Sequence, residues 1–149
     1  MGDQFPEQLR RDYISRSMVP GQVLRIDWTF PDQTKMKRVL LVCTDPEPLV
    51  LMINSEPPEF QQNDPGFRRC QLLLEARDHT FLDHDSFLNC YRVYALRDQD
   101  DVEGQMAGST ASVMGMCPEE TKRKVVDVVS ASSDITPVRK AAIAEALLG

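Results

Sequence analysis

The sequence predicts a mainly β fold with helical additions, in the α+β class: a small antiparallel barrel followed by C-terminal helices. Three observations predict it. Five strand-like runs follow one another between Gln22 and Leu96 with turn chemistry between them and no helical period, as in an antiparallel rather than an alternating β/α arrangement. Past Pro118 the apolar residues change to a helical period. The 149 residues are 42% hydrophobic and 27% charged, which suits one domain, residues 1–149, with a core of its own. A chain of that length buries roughly two-thirds of the surface that its unfolded form exposes, so folding needs no disulfide or metal staple.

The elements follow in order. Residues 1–18 are expected to hold a short helix over Pro6 to Ser17, because Pro6 suits the first helical position and Phe5, Leu9 and Tyr13 recur on one face. Pro20-Gly21 ends it. The barrel core is expected over 19–97. Gln22 to Phe30 alternates apolar and polar residues like a strand with one wet face, and Pro31 to Thr34 turns the chain. Arg38 to Thr44 and Leu49 to Asn54 are almost continuously aliphatic, hence buried strands, joined by Asp45-Pro46-Glu47-Pro48. Glu56 to Arg69 carries too many breakers for a regular element and reads as a loop. Cys70 to Ala76 reads as a strand, Asp78 to Asp85 as a connection, and Phe87 to Leu96 as one long strand. Residues 98–149 are expected to form an acidic loop and a helical extension: one helix opens at Pro118-Glu119-Glu120 with Val125, Val128 and Val129 on its apolar face, and a second is capped by Thr136.

Composition narrows the function classes. No apolar stretch approaches the about 20 residues of a membrane helix. The N-terminal residues Met1 to Pro6 lack a basic leader and an apolar run, so a cytoplasmic location is expected. The net charge of −6 argues against a generic nucleic-acid binder, but residues 1–97 hold 12 basic and 14 acidic groups against 5 and 9 in residues 98–149. Most of the acidity therefore belongs to the extension. Cys43, Cys70, Cys90 and Cys117 are widely spaced, with no Cys-x-x-Cys pair and no neighbouring histidine, so free structural thiols are expected and no metal. Glycine-rich phosphate loops, Gly-x-Ser-x-Gly elbows and His-Glu-x-x-His helices are absent, and no cofactor is expected.

Reactive side chains fall in three places. His79, His84, Asp78, Asp83 and Asp85 share one short segment, where a carboxylate beside an imidazole suits acid–base chemistry; a polar surface turn would have the same composition. Lys35, Lys37 and Arg38 form a basic cluster near the first hairpin, suited to a phosphate or simply to keeping the hairpin soluble. Arg68-Arg69 is a second, smaller cluster. Trp28 is expected in the core, and Lys122-Arg123-Lys124 on the solvated side of a helix.

Pro20-Gly21-Gln22-Val23-Leu24-Arg25-Ile26, followed by Lys37-Arg38-Val39-Leu40-Leu41-Val42, resembles the opening of the MazF/PemK toxin family. Leu51 to Ser55 is similar to the family's next strand, which ends in Ser or Thr, and Asp85 to Val93 to its late Ser-aromatic-aliphatic strand. The likeness spans roughly Val19 to Leu96. It implies an SH3-like barrel, a homodimer, metal-independent endoribonuclease action on single-stranded RNA, and silencing by an antitoxin. By matched position Arg38 would handle the phosphate or act as acid, and Ser55 would line the same pocket. The base is assigned on chemical grounds alone, to His79, His84 or Asp85, and Lys35, Lys37, Arg68 and Arg69 would bind substrate. Val39 departs from the family, which commonly has proline there, and both termini are additions. The alternative is a noncatalytic SH3-like protein-binding or assembly module, whose helices dock on a partner.

Overall fold

In a computed structural model the chain is described over residues 18–56, 63–99, 105 and 112–149. The expected helix at Pro6 to Ser17 lies outside these residues. Among them, seven strands form one antiparallel sheet that curls into a half-barrel: β1 (Gln22–Thr29), β2 (Thr34–Cys43), β3 (Leu49–Asn54), β4 (Gln71–Leu74), β5 (Ser86–Asn89), β6 (Tyr94–Ala95) and β7 (Ser112–Met116). Three helices accompany them: α1 (Pro65–Arg69), α2 (Glu119–Ser130) and α3 (Pro137–Leu148). The α+β class and its antiparallel sheet are as expected.

The strand order is β4-β5-β3-β2-β1-β7, with β6 beside the other half of β3. Strand β3 and the second half of β2 are covered on both faces, which is why their sequences are apolar runs rather than alternations. On one face Leu40, Leu51, Leu88 and Phe81 meet Val125, Val129, Ile143 and Leu147 of the C-terminal helices. On the other, Leu24, Ile26, Trp28, Val39, Leu41 and Met52 form a second cluster, with Leu96 against it. Burying each such side chain contributes roughly 1.5–3 kcal/mol, so both clusters matter to stability. All four cysteines are free and buried.

Several elements differ from expectation, each for a local reason. Strand β2 starts at Thr34 rather than Arg38, because Thr34 to Lys37 pair with β1 in a ribbon whose exposed positions need no apolar residues. The loop expected over Glu56 to Arg69 contains α1: Asp64 accepts a hydrogen bond from the Gly66 amide at 2.9 Å and Pro65 opens the helix, so these breakers act as start signals. The long strand expected over Phe87 to Leu96 is two. Its first part pairs with Ile53 and Asn54, its second with Leu49 and Val50, and Cys90 turns aside between them to bond the Cys70 carbonyl at 2.8 Å.

The C-terminal region contributes more than an acidic loop and helices. Ser112–Met116 adds β7 to the outer edge of β1, with Met116 opposite Gln22 and Ser112 opposite Arg25. Gly115 there lies against Phe81, where a Cβ would stand 3.4 Å from the ring, an ordinary contact distance. The two helices begin where expected, and the Thr136 hydroxyl accepts from the Arg139 amide at 3.3 Å. Lys122 is half-covered rather than solvated, since its chain lies over Gly21 and its amine reaches Glu119 at 3.0 Å. No helix among the described residues is long and apolar enough to cross a membrane.

Candidate functional site

Antiparallel pairing decides which predicted residues meet. Arg38 on β2 faces Ile53 on β3, and Ile53 faces Leu88 on β5. Side chains two residues apart share a face, so Met36, Ser55 and Ser86 join Arg38 and Ile53 on one side of the sheet. These residues line a shallow groove of about 200 Å³.

The connection from β4 to β5 crosses above this groove and supplies its remaining groups. The Arg38 Nη2 donates to Asp83 Oδ2 at 3.0 Å. His84 Nε2 and Ser55 Oγ are hydrogen-bonded at 3.1 Å, while the Ser86 hydroxyl donates to the His84 carbonyl at 3.1 Å and fixes the backbone beneath the imidazole. Arg38 is 22% exposed and Asp83 83% exposed, so the guanidinium is held in the wall while its carboxylate partner stands in solvent. The Nε of Arg38 is buried with no partner. An arginine in this state, beside two hydroxyls and an imidazole, can receive an anionic oxygen and transfer a proton next to it.

Three of the predicted catalytic residues, Arg38, Ser55 and His84, thus converge. The fourth does not. Asp85 accepts from the Ala76 amide at 2.8 Å, closing the 3-10 turn at Ala76–Asp78. Of the predicted substrate-binding residues, Lys37 alone lines the groove with Arg38. Its amine is engaged elsewhere, donating to Asn54 at 2.8 Å; burial, then the nearby Lys35, lowers its pKa. Lys35 lies over the Phe30 ring, 5.8 Å from its centroid. Arg68 and Arg69 are exposed on α1, which packs against β4 with β5 and β3 between it and β2. The signal available from sequence was period: consecutive residues of a strand point to opposite faces.

His79, the other imidazole of the segment, is structural. It is 6% exposed, with Nδ1 2.7 Å from the Glu75 carbonyl and Nε2 2.8 Å from the Thr121 hydroxyl. A carbonyl only accepts, so Nδ1 donates to Glu75, and Nε2 is hydrogen-bonded to the threonine hydroxyl. The bond ties the crossing segment to α2. A cavity of about 600 Å³ opens there between β4 and the start of α2, but its histidine is already fully bonded.

No protein-family model matches the chain, and no curated protein does. Among the described residues no group of three or more His, Cys, Asp or Glu could hold a metal ion. Sequence reasoning named Asp83 in its segment without assigning it a site role and missed Ser86, because a carboxylate and a hydroxyl in a polar turn carry no mark of the β2 arginine beside them.

Proposed function

We propose that the protein is a divergent MazF/PemK-like toxin, a cytoplasmic endoribonuclease that cleaves single-stranded RNA without a metal. The observation that carries this reading is the grouping of a half-exhausted arginine, a serine and a solvent-accessible imidazole in one groove. In this scheme the ribose 2′-hydroxyl attacks the adjacent phosphorus. His84 takes its proton, Arg38 holds the non-bridging oxygens as charge develops, and Ser55 orients the imidazole. The bond to the 5′ oxygen breaks, that oxygen takes a proton from solvent water, and a 2′,3′-cyclic phosphate remains. A homodimer and an antitoxin partner belong to the same reading.

Incubation with single-stranded RNA in EDTA tests it. Cleavage to cyclic-phosphate ends is expected, falling about 10²- to 10³-fold in Arg38→Ala and about 10²-fold in His84→Ala. Absence of cleavage, or equal cleavage by all three proteins, sinks it. A second reading, a noncatalytic SH3-like protein-binding module, is favoured by Val113 and Met116, 49% and 43% exposed on the edge strand β7. It predicts a stable complex and no turnover.

A further inference from the structure

The β1–β2 register sets two arginines face to face. Arg25 is directly opposite Arg38, and both lie on the groove side of the sheet. Residues opposite each other in an antiparallel pair have Cβ atoms roughly 4.5–5.5 Å apart, and like charges so placed repel. Arg38 has Asp83 on one terminal nitrogen and nothing on its buried Nε. Arg25 is exposed and has no hydrogen-bond or ion-pair partner among the described residues, although Asp27 follows two positions on along the same face. Its other neighbour in register is Ser112 of β7. A row of serine, arginine and arginine therefore runs across three strands to the groove, and among the described residues Asp83 pairs with Arg38 while no side chain pairs with Arg25.

We infer that Arg25 forms a second phosphate position beside the one at Arg38, and that the ligand is a single-stranded polynucleotide gripped through two consecutive phosphates. The inference rests on the phosphate-binding role of Arg38 proposed above. A dianionic stretch of backbone answers what one phosphate leaves open: it neutralises both guanidinium groups, and it makes the site select a chain over a mononucleotide. Asp27 and Asp83 flank the row, so the positive potential is confined to the two arginines, and binding depends on register rather than on general attraction.

Binding is measured by fluorescence anisotropy with a labelled 2′-O-methyl oligouridylate, which cannot be cleaved, on wild type, Arg25→Gln and Arg38→Gln. Arg25→Gln is expected to bind about tenfold more weakly, the loss of one charge-assisted contact, with the salt dependence of log K shallower by about 1. Against 2′-O-methyl UpU, which has one phosphate, Arg25→Gln is expected to match wild type, whereas Arg38→Gln loses binding to both probes. Relief of the arginine pair also predicts that ligand-free Arg25→Gln melts no lower than wild type. Unchanged oligouridylate affinity and salt slope in Arg25→Gln overturn the inference, as does an equal loss on UpU or a wild type that binds neither probe. Uncleaved natural RNA with oligouridylate binding and its Arg25 dependence intact would instead remove only the nuclease reading.

Discussion

Neutralising Asp83 should tighten the groove's grip on an anion. Its carboxylate holds one terminal nitrogen of Arg38 at 3.0 Å, and a phosphate oxygen arriving there must displace it. An ion pair with one partner 83% exposed is screened by water, and such pairs are worth about 0.2–1 kcal/mol. An anion that must break this pair binds more weakly by the same amount, so Asp83→Asn is expected to improve oligonucleotide affinity by about 1.5- to 5-fold. Stability should fall by no more than about 1 kcal/mol, because the asparagine keeps the shape and an acceptor. Anisotropy titrations with urea melts measure both quantities. Asp32→Asn, on the exposed β1–β2 turn, reports what the loss of any nearby negative charge does. Affinity in Asp83→Asn that is unchanged, lower, or raised only as much as in Asp32→Asn would refute the competition.

The remaining predictions concern the frame around the groove. Thr121→Val leaves the buried Nε2 of His79 without its hydroxyl and should lower unfolding free energy in urea by about 1–3 kcal/mol; a loss under half of that would deny the bond its role. Burial raises all four thiol pKa values, that of Cys117 to about 12, so a disulfide reagent at pH 8 should titrate no thiol in native protein and all four in guanidinium. Gly21→Ala forces a side chain onto a φ of 100° and against Lys122 and Met116, and should lower stability by about 1–3 kcal/mol in thermal melts. Lys37 has its pKa lowered in the fold, so between that value and 10.5 the unfolded chain binds more protons and this group's contribution to stability rises with pH. Lys37→Met should flatten that rise; an identical pH slope in the variant would exclude it.

What could be read from sequence was whatever depended on neighbours along the chain. Leu49 to Asn54 was legible because a strand covered on both faces leaves an apolar run, and Thr136-Pro137 because a cap and its helix are contiguous. Ser112–Met116 was illegible: its glycine and alternation have no local meaning until β1, far earlier, supplies the partner edge. The division of Phe87 to Leu96 was hidden for the same reason, since the two halves differ only in which end of β3 they meet. In the site, Arg38 and Ser55 were found by resemblance to a known strand pattern, and His84 by chemistry. Lys35 and Lys37 were grouped with Arg38 by proximity along the chain, although in a strand consecutive side chains point to opposite faces. Asp85 was chosen over Asp83 with no basis in sequence for preferring either.

The pairing of β7 with β1 bears on how the chain is made. Synthesis delivers β1, β2 and β3 first, so Arg38 and Ser55 can be brought side by side early, by a local meander. The outer edge of β1 has no sheet partner among the described strands until Ser112 to Met116 have left the ribosome, and the aliphatic face beneath α2 and α3 is uncovered for longer still. A nascent chain stalled before Ser112 would therefore present an open strand edge and bare aliphatic surface together, the features that holdase chaperones bind and that seed aggregation. Its groove would be half built by then, with the arginine formed and its last structural support still inside the exit tunnel.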